Sequence, residues 1–202
     1  MKRFINTLKN IWSIKELRNR ILYTLLLLLV FRLGSFIVLP GVMPDVLSSV
    51  AQNRGANDLL GLINVFTGGA FNQASILALG IMPYITASII IQVLGFAVPY
   101  FQRLQQKEGE SGRKRLNQIT RVLTVAITLV QGGAYLTYLK GVGAISPNVS
   151  MSIFWGANIL ILTTGTIFAM WLGEKITDKG IGNGVSILIM VGILSRLPQA
   201  LV

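Results

Sequence analysis

The stretch 59–102, LLGLINVFTGGAFNQASILALGIMPYITASIIIQVLGFAVPYFQ, decides the fold: it carries no charge and is broken near its centre by glycines, asparagines and a proline. A charge-free run of this length lies in a membrane or deep inside a protein core. It begins just after Asp58 and ends just before the basic segment 103–121. Short Lys/Arg-rich loops stay on the cytoplasmic side, so 99–121 reads as a basic cytoplasmic loop. The N-terminal arm, 1–20, holds Lys2, Arg3, Lys9, Lys15, Arg18 and Arg20 and reads as cytoplasmic too. Between them lies one clear apolar span, 21–39, which leaves 45–58 outside. The uncharged run must then cross the membrane an odd number of times. One helix uses about 20 residues. The remainder must enter the bilayer level without crossing it, and such backbone is tolerated only where it lines or fills a protein cavity.

Composition places the whole chain in the same class. Hydrophobic residues make up 52% of the 202 and charged residues only 12%, and mean hydropathy is +0.66. A soluble domain carries about twice that charge. Cysteine and histidine are both absent, which removes disulfides, thiolate chemistry and the commonest general base and metal ligand. The formal charge of +11 is distributed as a topology signal: of 18 Lys/Arg, six lie in 1–20, six in 103–121 and two in 174–179. The first apolar segment is longer than the core of a signal peptide and ends at Pro40-Gly41 without a cleavage pattern, so it reads as a retained span. Before it, Phe4, Ile5, Leu8, Ile11, Trp12 and Ile14 recur at helical spacing between lysines, the pattern of an interfacial amphipathic helix.

The spans follow as about 21–39, 75–98, 122–139, 153–173 and 182–202, a five-span membrane unit over 21–202. The neutral loop 174–180 is placed by parity alone. Pro83 removes a backbone hydrogen bond and should kink the second span. Ile81, Ile85 and Ile89 form one aliphatic stripe, while Thr86, Gln92 and Gln131 need partners within the bundle. Arg32 costs about 3 kcal/mol at a helix centre and reads as structural. In 57–72, Leu59, Leu60, Ile63 and Phe66 make a short amphipathic helix ended by Gly68-Gly69, whose backbone angles are closed to other residues. This is the half-inserted piece that parity demands. It suits either the coordination of a small substrate or the occlusion of a pore.

Several longer motifs carry a resemblance. They are Gly80–Gln92 (GIMPYITASIIIQ), Lys107–Arg115 (KEGESGRKR), Met170–Thr177 (MWLGEKIT) followed by Gly180–Gly184 (GIGNG), and Val30–Phe36 with Pro40-Gly41. Together these closely resemble the bacterial SecY family, the channel-forming subunit of the general protein-export translocon, over nearly the whole chain. The resemblance implies an all-α polytopic fold of about five transmembrane helices plus a re-entrant plug helix, one half of a ten-helix pseudo-symmetric channel. It makes 57–72 the plug and Ile81, Ile85 and Ile189 members of the pore ring, a greasy gasket that excludes water and ions by dewetting when empty. It makes Thr86 and Gln131 part of the polar cluster at a lateral gate. Implied partners are SecE and SecG, the motor SecA or the ribosome, preproteins bearing signal sequences, membrane lipids and the remaining half of the channel. The implied site is the bacterial cytoplasmic membrane, with the N-terminus cytoplasmic. Arg113, Lys114, Arg115 and Arg121 are expected to add docking of an acidic cytoplasmic partner to their topological role.

Two other classes compete. A secondary transporter also uses halves and broken helices about a midplane site, but it normally shows an intramembrane acid or other binding residue, and the only charges within these spans are Arg32 and, near the outer end of the last, Arg196. An enzyme needs a nucleophile, base or metal set, and these spans hold no His, Cys or acid. No catalysis and no cofactor are expected, and no phosphate-binding glycine-lysine loop occurs.

Overall fold

A computed structural model describes residues 13–53, 59–106 and 109–195. Among these the chain is helical and has no strand. Its helices are α1 Lys15–Gly34, α2 Pro44–Asn53, α3 Leu59–Phe66, α4 Met82–Ala97, α5 Pro99–Gln106, α6 Gly109–Val142, α7 Met151–Lys179 and α8 Gly184–Leu194. α6 packs against α4, α5 and α7, while α7 also meets α1 and α8, and α3 rests on α8. α6 and α7 are each long and apolar enough to cross a membrane; α4 and α5, bent by 102° at their junction, make a third span if taken together. Residues 1–12 of the amphipathic arm, 54–58 ahead of α3, Lys107 and Glu108, and 196–202 of the expected fifth span lie outside the described residues.

Each helix buries a stripe of its own spacing. α1 buries Thr24, Leu27, Phe31 and Gly34 and leaves Leu22, Leu25, Leu26, Leu29 and Leu33 exposed, the apolar outer face that lipid requires. Small residues let neighbours of α7 approach closely, as membrane packing favours. A Cβ on Gly165 would overlap the carbonyl of Ile76, and one on Gly184 would overlap that of Gly173. At the start of α8 the Asn183 side chain accepts a hydrogen bond from the Ser186 N–H, capping a free donor. On α6, Thr120, Thr124 and Thr128 are buried at four-residue spacing. Their hydroxyls donate to the carbonyls of Leu116, Thr120 and Thr124 at 2.8, 2.7 and 2.7 Å, so each is satisfied inside the helix.

Outside the helices, one strap stitches the molecule together. Val38 bridges Ser75 and Val42 bridges Ile145, both antiparallel. The Leu39 N–H donates to Ala74 O at 2.8 Å and the Ile76 N–H to Ile37 O at 2.9 Å; the Met43 N–H reaches Ala144 O at 2.8 Å. Residues 37–43 therefore hold both the turns that follow α3 and the connection from α6 to α7. Two buried clusters flank this strap. One gathers Leu39, Leu47, Phe71, Leu136 and Phe154, the other Leu27, Phe31, Leu77, Ile81, Leu172 and Leu188.

Several boundaries differ from the sequence expectation. Pro83 does not kink a helix begun at residue 75, because residues 75–81 form turns and a bridge and Pro83 stands in the first turn of α4. There its missing N–H has no partner to lose. The 99–121 loop is largely helical: α5 covers Pro99–Gln106, and α6 runs unbroken from Gly109 through the expected third span. Likewise α7 continues to Lys179 through the expected 174–180 loop. Charge marks where a helix leaves an apolar layer, and Glu, Lys and Arg are good helix formers. Thr86 and Gln92 find partners in their own helix, Met82 O at 3.1 Å and Ser88 Oγ at 3.4 Å, and not across the bundle.

Candidate functional site

The site is built around α3 and the turns that end it. Asn64 O accepts from the Gly69 N–H at 2.8 Å and Val65 O from the Gly68 N–H at 3.1 Å, the bond pair of a Schellman motif. Gly68 and Gly69 adopt φ of 63° and 92°, as the motif requires. The Thr67 hydroxyl donates to Ile63 O at 3.0 Å and accepts from the Phe71 N–H at 3.3 Å. Asn64 Oδ1 accepts from the Asn72 N–H at 3.1 Å. Beyond Gly69 the chain is deeply buried, with Ala70, Ala74, Ser75, Leu77 and Ala78 at 1% exposure or less. The Tyr135 hydroxyl of α6 donates to Phe71 O at 2.7 Å.

α3 touches two apolar cavities. The first, about 270 Å³, is lined by Ile81, Ile85 and Ile189 together with Phe66, Thr67 and Phe31, among others. The structure thus brings three isoleucines from α8 and the start of α4 to one wall, with the C-terminal end of α3 on the same cavity. Ile89 does not join them: it is 54% exposed. The second cavity, about 320 Å³, is lined by Leu60 and Ile63 of α3 and by Phe71, Gln131, Tyr135 and Tyr138. Gln131 therefore lines a different cavity from the isoleucines, with Met82 common to both. Thr86 lines neither cavity. Phe31 and Thr67 were not singled out from sequence, although Thr67 sits between two residues that were.

Arg32, in the last turn of α1, has a specific partner. Its Nη1 donates to Gly68 O at 2.7 Å across 36 residues of sequence, and its guanidinium lies 4.9 Å from the centre of the Phe36 ring. Gly68 also sits against α8, where an added Cβ would meet Gly192 Cα at 3.0 Å.

The basic residues separate into two groups. Arg113, Lys114 and Arg115 are exposed on α6. Lys114 makes only a surface pair with Glu110, at 3.2 Å with both side chains at least 74% exposed, and such pairs contribute little. Arg121, grouped with them from sequence, instead forms a two-pronged pair with Glu174 of α7, at 3.1 and 2.7 Å. Its charge is engaged between two helices, whereas Arg113, Lys114 and Arg115 stay at the surface. No group of three or more acidic, Cys or His side chains suited to a metal occurs among the described residues.

Apolar helices packed on small residues, two of them long enough to cross a membrane, define a polytopic membrane protein. The chain belongs to the SecY family, whose model matches residues 75–202. Similar relatives include the protein translocase subunit SecY of Buchnera aphidicola subsp. Acyrthosiphon pisum, 46% identical over 94% of this chain and 43% of that protein. The Haemophilus influenzae subunit is 46% identical over 92% of this chain and 42% of its own length. That of Staphylococcus aureus (strain NCTC 8325) is 45% identical over 98% and 46%. The chain thus spans less than half the length of the curated relatives it matches. Two solved structures share the fold at a TM-score of 0.62 and 18% identity, each covered over 36% of its length. They are described as the structure of a protein conducting channel and as Sec61 in the canine ribosome-channel complex from the endoplasmic reticulum. The relatives are named as translocase subunits, so the transporter reading draws no support from them.

Proposed function

We propose that this chain supplies part of the wall, the resting seal and the plug of a protein-translocation pore. Unfolded secretory proteins would cross the bacterial cytoplasmic membrane through that pore, and membrane segments would leave it sideways into lipid. The observation that carries the reading is the 270 Å³ cavity on which Ile81, Ile85 and Ile189 meet Phe66 and Thr67 of the α3 region. Branched apolar side chains around a narrow space stay dry and so exclude ions without a charged filter. The chain performs no catalysis in this role. The remaining wall of the pore, SecE and SecG would complete the channel, with SecA or a ribosome as the driver on the cytoplasmic side. Thr86 and Gln131 belong to the lateral exit, and the N-terminus lies in the cytoplasm.

The test uses the complete translocase in lipid vesicles. Ile81→Asn together with Ile189→Asn should hydrate the cavity and raise resting ion conductance several-fold, with preprotein import into the vesicles retained. Unchanged conductance in a correctly assembled complex would remove the seal assignment.

A further inference from the structure

We infer that Arg32 is a positioning residue that latches the plug: its guanidinium caps the C-terminal end of α3 through the Gly68 carbonyl and holds that helix on the isoleucine cavity. The inference rests on the plug reading of α3. It begins from an expense. A cation placed within an apolar span costs about 3 kcal/mol, and among the described residues the partners of Arg32 are a carbonyl and a ring, not a carboxylate. The carbonyl is a particular one. Gly68 is the left-handed residue just past the C-terminal end of α3, the position on which its Schellman turn closes. A guanidinium at 2.7 Å is a charge-assisted bond to the backbone of that turn, stronger in an apolar setting than in water.

The surroundings localise what the latch controls. Downstream of Gly69, the chain is buried and stitched to the strap at Leu39 and Ile37, so those turns are fixed. Upstream lies α3, which exposes Leu62 and Phe66 at 53% and 45% while Leu60 and Ile63 pack on the core and Asn64 holds the Asn72 N–H. Gly68 and Gly69 thus join the buried turns to a helix with one exposed face, and Arg32 grips that junction. The backbone there is also close to α8: a Cβ on Gly192 would meet Phe66 O at 2.8 Å. α3 can sit this close only because Gly192 leaves room. Release of Arg32 would free α3 to leave the cavity while the fold around the strap stays intact.

The experiment is done on the complete translocase in vesicles. This chain has no cysteine; in a translocase whose other parts are also freed of cysteine, Phe66→Cys with Ile189→Cys gives one bridgeable pair on the cavity. The initial rate of its linkage by a short bis-maleimide reports how long α3 stays seated, and resting ion conductance is read on the same complexes without the pair. Arg32→Gln should slow the linkage about tenfold, the size expected for one hydrogen bond to a charged group, and raise conductance. Arg32→Lys, which keeps a cationic donor, should recover most of both. An unchanged linkage rate and conductance in Arg32→Gln would overturn the latch. If that variant fails to assemble, Phe36→Leu carries the test. Phe36 is exposed, and loss of its ring support should slow linkage about threefold; no change would overturn the latch equally. The plug reading fails separately, if the unmodified Arg32 complex does not link the pair at all.

Discussion

At the scale of single residues, the bond between Arg121 and Glu174 distinguishes an internal brace from a docking surface. Both guanidinium contacts run from α6 to α7, at 3.1 and 2.7 Å, and the side chains are 51% and 26% exposed. Half-exposure and screening keep such a pair modest, although two-pronged geometry places it at the upper end of its class. A double-mutant cycle with Arg121→Gln and Glu174→Gln in the assembled complex should give a coupling of about 1 kcal/mol in thermal unfolding, reduced by salt. Zero coupling at low salt would return Arg121 to the surface cations. The pairing was not legible in the sequence, because the partners are 53 positions apart and each sits among other charges. The same holds for Arg32: its presence in an apolar span announced a partner, but a backbone carbonyl has no signature in a side-chain pattern. The three isoleucines that share one cavity were singled out through the family resemblance, and only Ile81 and Ile85 also share a helical period.

At the scale of elements, α3 was legible from four apolar residues followed by two glycines, since periodicity and left-handed backbone both leave local marks. The turns between Gly69 and Met82 were not, and for that reason Pro83 was misread. Nothing in 75–81 forbids helix; the backbone there is taken by long-range bonds to the strap, and such bonds depend on segments 36 or more residues away. If α3 is an occluding element that takes no part in any reaction, deletion of 60–69 should raise resting conductance while preprotein import persists at a substantial fraction of its normal rate. Conductance is measured on planar bilayers and import on vesicles. Loss of import with conductance unchanged would make α3 a support for the pore wall.

At the scale of the whole molecule, Arg113, Lys114 and Arg115 make an exposed basic face on α6. Such contacts to phosphate or carboxylate release counterions, so log affinity falls with log salt by roughly 0.7–0.9 per contact. Neutralising all three together should flatten that slope by about 2 for a ribosome or motor partner, with membrane insertion normal because the N-terminal arm is untouched. Inverted topology with an unchanged slope would leave these cations as an orientation signal alone. Their position on a helix that also spans the apolar layer gives the threonines of α6 a mechanical meaning. Thr120, Thr124 and Thr128 close their hydrogen bonds within the helix. Between the brace at Arg121 and the Tyr135 hydroxyl on Phe71, no hydrogen bond among the described residues leaves α6 for a neighbour. Shear along that stretch breaks no polar bond and is resisted by packing alone. A load applied at the basic end of α6 would meet the brace at Arg121 first and, from there to Tyr135, only the grip of packed side chains.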